Sequence, residues 1–177
     1  MKTLARLVLS ALLLVSLVAV QAADRKKLTA DAEQAVREFE RTDASLKELF
    51  QKAAGYVVFP NVGKGGLVFG GAHGNGLVYE GGKLIGYASL KQITVGAQIG
   101  GQEFSEVIFF ETKDALETFK KSEFAMSAQV GAVAAAEGAG KNARYQQGVM
   151  VFTKAKQGLM AEASVGGQKF KFEPVGK

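Results

Sequence analysis

The stretch Gly55-Tyr-Val-Val-Phe-Pro-Asn-Val-Gly-Lys-Gly-Gly-Leu-Val-Phe-Gly-Gly-Ala-His-Gly-Asn-Gly76 turns the chain from helical to extended patterning. Short runs of Val, Phe and Tyr separated by glycines read as strands joined through turns. Continued downstream, the pattern predicts strands near 56–59, 66–71, 76–79, 83–90, 93–100 and 102–110. Gly81-Gly82 and Gly100-Gly101 are two-residue hairpin signals, because glycine reaches positive φ without steric cost. Residues 112–121 interrupt as a helix, with Thr112 as cap and Ala115, Leu116 and Phe119 inward. Residues 124–140 are Ala-rich and fit neither period, and strands resume at 148–153, 158–165 and 168–173.

Within the last strand Lys169 and Lys171 alternate with Phe170 and Phe172, which puts the lysines on a solvated face and the aromatics on a buried one. An internal echo, Ala97-Gln-Ile-Gly-Gly-Gln-Glu-Phe104 against Ala163-Ser-Val-Gly-Gly-Gln-Lys-Phe170, indicates one hairpin design used twice.

Upstream of Gly55 the period is helical. Leu28, Ala32, Ala35, Val36 and Phe39 form one stripe, with Thr29 as N-cap and Asp31 in the first turn. Ser45 and Glu48 form a capping-box pair for a second helix striped by Leu46, Leu49, Phe50 and Ala53, and Gly55 suits the left-handed residue that ends it. The polar face of the first helix mixes signs (Glu33, Arg37, Glu38, Glu40, Arg41), so packing on the domain is favoured over lying in a membrane. The fold class expected is α+β: a glycine-rich antiparallel sheet, curved or barrel-like, with N-terminal helices and one mid-chain helix packed on it.

At the start of the chain, Lys2 and Arg6 precede the apolar or small run Leu7–Val20, and Val20-Gln21-Ala22 offers small residues for cleavage. This describes a secretory signal peptide, with cleavage after Ala22 or Ala23. The organisation expected is a signal peptide over 1–22, a helical segment over 23–54 and a β-rich domain over 55–177, exported to the periplasm or beyond. Removing Lys2 and Arg6 lowers the formal charge from +5 to +3. The remainder is uneven: Lys141, Arg144, Lys154, Lys156, Lys169, Lys171 and Lys177 face only Glu162 and Glu173 in the last quarter, a net of +5. Such a basic region points to an anionic partner surface.

Composition removes much catalytic chemistry. With no cysteine there is no disulfide, thiolate metal site or Cys nucleophile, and the one histidine, His73, cannot form a His-based metal cage. The glycines around Lys64 match no phosphate-binding loop, since they lead into strands rather than a helix. His73 reads as a solvent-facing residue of a glycine-rich turn, and Glu103 and Glu106 fall on opposite strand faces, so no acid–base pair is offered. No Gly-x-Ser-x-Gly elbow occurs. The expectation is a non-enzyme with no cofactor and no metal. Export and the absence of an aromatic-basic binding strand argue against nucleic acid.

The quoted stretch Gly55–Gly76 resembles the opening of a SYLF domain, and Lys156-Gln-Gly-Leu-Met-Ala-Glu-Ala-Ser-Val-Gly-Gly167 resembles its late block. Ser122-Glu-Phe124 and the run from Gln129 to Gly140 fall in order between them. The resemblance implies a non-enzymatic lipid-binding module, which in eukaryotic relatives binds phosphoinositide membranes, in part through a basic N-terminal amphipathic segment, and in some members bundles actin. This chain departs from the pattern at Glu162, at Ala136-Glu137-Gly138 and in the mixed charge of its N-terminal helix. Actin is not carried over, since an exported protein would not meet it in its own cell. The function expected is peripheral binding of anionic phospholipid through Lys154, Lys156, Lys169 and Lys171, joined by Arg25, Lys26 and Lys27. Two alternatives stay open: an envelope protein-interaction or structural module, with its protein partner unknown, and a carrier of a small hydrophobic ligand.

Overall fold

The first 54 residues contain no glycine or proline, so nothing local stops a helix once begun. In the computed structural model, which describes residues 2–65, 69–95, 102–122, 125–126, 130–157 and 165–176, α1 spans Lys2–Thr42 without interruption. Thr29 is therefore not an N-cap. Its hydroxyl donates to the Arg25 carbonyl one turn back, at 2.9 Å, as a threonine inside a helix does. Helix α2 (Leu46–Lys52) forms where expected, but not by a capping box: Ser45 has helical backbone angles and its side chain makes no cap bond. Asp43 holds that corner instead, accepting from both the backbone N–H and the hydroxyl of Ser45.

Gly55 opens strand β1 (Gly55–Gly65) rather than ending the helix. It is glycine because a Cβ there would stand 2.7 Å from the Tyr79 carbonyl oxygen, inside contact distance. The remaining elements are β2 (Phe69–Glu80), β3 (Lys83–Val95), β4 (Gln102–Phe110), α3 (Lys113–Lys120), β5 (Ala132–Ala134), α4 (Ala139–Asn142), β6 (Val149–Gln157) and β7 (Lys169–Pro174). Gly81 and Gly82 take φ of 55° and 76° between β2 and β3, the two-residue turn expected of that pair. The hydroxyl of Thr112 accepts from the Ala115 N–H and caps α3. The Gly100-Gly101 turn, the expected strand at 158–165 as far as residue 164, Glu162 and most of the first copy of the echo lie outside the described residues.

The described strands form one sheet in the order β5-β6-β4-β1-β2-β3-β7. All pair antiparallel except β5 with β6, which is parallel. The fold is α+β as expected, and the sheet is not closed: among the described strands it runs from β5 to β7, with Ala125 bridging Lys169 on β7. Two cores explain why it stays open. On one face Ala32, Ala35 and Phe39 of α1 pack on Val58, Leu77, Val107, Phe109 and Phe152. On the other, Leu116 and Phe119 of α3 pack with Val57, Phe59, Ile108, Phe110 and Phe170. Both apolar faces are covered by helices, so the sheet has no need to curl on itself.

Strand β1 continues through Pro60 by means of a bulge. Its pairing with β2 shifts between Val58 and Asn61, and with β4 between Phe59 and Val62. The Ser105 hydroxyl donates to the Pro60 carbonyl at 2.8 Å, and proline is tolerated at such a break. The extra residue reverses the facing of the strand beyond it, so that Asn61 rather than Val62 lies on the α1 face. No helix among the described residues is long and apolar enough to cross a membrane.

Candidate functional site

The α1 face of the sheet is best followed row by row across β1, β2, β3 and β7. Val58, Leu77, Tyr87 and Glu173 are successive cross-strand partners, and the apolar part of this row lies under α1. The next row is Asn61, Asn75, Ser89 and Lys171. Then come Gly63, His73, Lys91 and Lys169, and last Gly65, Gly71 and Ile93. The face thus grades from apolar to neutral polar to cationic, and ends on an exposed isoleucine.

His73 sits within β2, not in a turn. It is exposed as expected, but its surroundings are not those of a turn: Lys91 is its direct partner. Lys91 in turn stands opposite Lys169. Like charges directly across a strand pair destabilise it by roughly 0.2–1 kcal/mol. Neither lysine has an ion-pair partner among the described residues, so the repulsion is unrelieved within them. Beside them Ile93 is 83% exposed, against 1% for Leu90 on the opposite face. Ile93, Lys91, Lys169 and Lys171 line one shallow hollow.

The sequence-derived residues divide into two groups. Lys169 and Lys171 alternate with buried Phe170 and half-buried Phe172, as expected. Lys171 pairs with Glu173 at 2.9 Å, both side chains well exposed, and this bond holds the Glu173 carboxyl below its usual range. Arg25 reaches the same end of the sheet, its guanidinium 4.5 Å from the centre of the Tyr87 ring, a cation–π distance. Lys27 is tied to Asp31 at 2.8 Å, which raises its pKa, and Lys26 is exposed.

Lys154 and Lys156 lie on β6, on the same α1 face but toward the opposite edge of the sheet. Five strand spacings separate β6 from β7, roughly 24 Å. Lys154 is 3.5 Å from Glu38. The Glu38 carboxyl is held low first by a bond from Gln34, burial opposing it, and then by Lys154. Lys156 donates to Asn61 Oδ1 at 2.7 Å. These two lysines are engaged within the fold, whereas Lys91 and Lys169 have no such partner among the described residues.

Sequence reading misses Lys91 and Ile93. The signal is present in Leu90-Lys-Gln-Ile93, where alternation puts an isoleucine on the polar face. It also misses the burial of Glu106, which is complete on the α3 face. Gln168 Nε2 donates to its Oε2 at 2.9 Å, and burial pushes the carboxyl up to about 7, against that bond. Glu103 does lie on the opposite face, so the two form no acid–base pair.

Comparison with known proteins bears on this surface. A family model, Ysc84, described as a Las17-binding protein actin regulator, matches residues 91–174. The match includes Lys91, Ile93, Lys169 and Lys171, and leaves out α1, β1 and β2. Beta cell expansion factor A of Aeromonas veronii is 32% identical over 128 residues, which cover 71% of this chain and 48% of that protein. The chain spans about half the length of that curated relative.

Proposed function

Because this chain carries a domain of the Ysc84 (SYLF) family over residues 91–174, we propose that it is a non-enzymatic module that binds anionic phospholipid at a membrane surface. Lipid binding is consistent with the family. The observation that supports this surface is the Lys91–Lys169 pair, which has no ion-pair partner among the described residues, beside exposed Ile93. An anionic headgroup layer removes the repulsion between the two ammonium groups, and each lysine near such a layer contributes about 1 kcal/mol. Ile93 adds a small apolar contact with the acyl boundary. Lys171 and Arg25 extend the basic rim, with Lys26 and Lys27 on the exposed helix beyond.

The protein works, in this reading, outside the cytoplasm: the N-terminal address sends it to the periplasm or the extracellular side. Actin and nucleic acid are not among its partners, and no cofactor enters.

The test is a vesicle-binding comparison of variants purified from an exporting bacterial host, with the mature N-terminus read by mass spectrometry. Replacing Lys91, Lys169 and Lys171 together by Gln is expected to weaken partition onto anionic vesicles about 100-fold, three lysines at about 1 kcal/mol each. Lys154→Gln with Lys156→Gln is expected to change it less than about threefold, since neither faces the patch. A larger loss in the β6 pair than in the triple variant would move the site toward the β6 edge of the same face.

A further inference from the structure

One row nearer α1 than the basic patch, the helix and the sheet enclose a cleft of about 490 Å³, large enough for a small ligand. We propose that this cleft is a second binding site, for an uncharged hydroxylated ligand: a saccharide or a polyol.

The floor is the row Asn61, Asn75, Ser89 and Lys171, one residue from each of four neighbouring strands. Strand spacing presents a polar group about every 4.8 Å along it. Asn75 and Ser89, with His73 beside them, make no side-chain hydrogen bond to another described residue. Amide and hydroxyl groups each both donate and accept, which is the complement of a hydroxyl group. Asn61 is oriented in advance: Lys156 donates to its Oδ1 at 2.7 Å, and its Nδ2 donates to Asp31 at 3.3 Å. The bulge at Pro60 aims Asn61 into the cleft. Without that extra residue the floor would carry Val62.

Charge selects against ions. Arg25, Lys27 and Lys171 line the cleft together with Asp24, Asp31 and Glu173, and Lys156 reaches its floor at Asn61; Lys27–Asp31 and Lys171–Glu173 are already paired. A phosphate placed on this floor meets carboxylates, and a cation meets basic groups. Neutral hydroxyls meet donors and acceptors alike. The outer patch of Lys91, Lys169 and Ile93 has a different character, cationic with an apolar contact, and Ser89 and Lys171 lie on the boundary between the two. The proposal stands apart from the phospholipid reading.

Saturation-transfer NMR on the purified protein tests it, with maltotriose, chitotriose and myo-inositol as probes and inorganic phosphate as competitor. A parallel arm uses phosphatidylcholine vesicles with and without digalactosyldiacylglycerol. The expected result is transfer to at least one hydroxylated probe, or retention by the glycolipid vesicles alone, undiminished by excess phosphate. Transfer to a free probe identifies a soluble glycan as the source, and retention on glycolipid vesicles alone identifies a lipid-borne headgroup. Asn75→Ala with Ser89→Ala is expected to weaken binding about 30-fold, two hydrogen bonds at about 1 kcal/mol each, with melting temperature unchanged. No interaction with any hydroxylated probe in either arm, displacement by phosphate, or indifference to the double variant overturns the proposal.

Discussion

Asp43→Ala is expected to lower the unfolding free energy by about 4 kcal/mol, since a buried carboxylate that collects several hydrogen bonds leaves its donors unsatisfied when removed. Asp43 is 2% exposed. Its Oδ1 accepts from the Ser45 N–H, the Ser45 hydroxyl and the Gly138 N–H, at 3.0, 2.7 and 3.2 Å. Its Oδ2 accepts from the Gly140 N–H at 2.7 Å. One side chain thereby joins the α1–α2 corner to the start of α4, remote along the chain. Burial alone would raise its pKa, but the bonds from Ser45, Gly140 and Gly138 outweigh it and hold the carboxyl below its ordinary range. A depressed folded-state pKa gives stability that is present above the ordinary carboxylate pKa and is lost as pH falls through the folded value. The gap between parent and variant in urea unfolding should therefore be full at neutral pH and narrow in acid. Asp43→Asn, which keeps one acceptor oxygen, should lose roughly half as much. A loss under about 1 kcal/mol for the alanine variant, the size of one ordinary hydrogen bond, would show that the hub does not hold these segments together.

Glu106 is expected to produce the opposite slope in a different window. Its folded-state pKa, about 7, lies above the ordinary value of 4.5. Below 4.5 the group is neutral in both states and costs nothing. As pH rises from there to about 7 the unfolded chain ionises first, so the unfolded state is favoured and stability falls. The fall is about 3 kcal/mol over that interval, at 1.36 kcal/mol per unit, and levels off above it. Glu106→Gln keeps the shape and an acceptor for Gln168, removes this group's slope, and should be more stable than the parent at about pH 8. The check is urea unfolding of both proteins at about pH 5 and about pH 8. Equal pH dependence in the two would place the Glu106 carboxylate in a polar environment and contradict its burial.

These two residues also mark where the sequence stops being legible. Alternation and helical period are enough for the helix at 113–120 with its Thr112 cap, for the Gly81-Gly82 turn and for the lysine face of β7. They fail where a residue's partner is remote. Asp43 carries no local sign of its role because its donors at Gly138 and Gly140 lie far along the chain, and the nearby Ser45–Glu48 pattern offers a local explanation that is wrong. Glu106 looks like any strand carboxylate until Gln168 is placed beside it.

Glycine misleads in a second way. The glycines around His73 suggest a turn, but Gly76 serves close packing inside β2, where a Cβ would stand 2.6 Å from the Val58 carbonyl oxygen. One residue type marks both turns and tight strand contacts, and only the pairing tells them apart. Of the candidate site, Lys169 and Lys171 are legible from alternation alone. Their opposition to Lys91 depends on the β3–β7 register, which no local pattern encodes. The row beneath α1 is hidden further by the bulge at Pro60, since an extra residue reverses facing and defeats any count by twos.

The central claim is that this surface recognises anionic phospholipid by charge, and co-sedimentation tests it most directly. The purified exported protein is mixed with vesicles of phosphatidylcholine alone or with phosphatidylglycerol added, at low and at physiological salt. The account predicts binding only to the anionic vesicles and a marked fall as salt rises, because exposed lysines are screened within about 10 Å at 0.1 M. Equal binding to both vesicle types, or binding to neither, would contradict it.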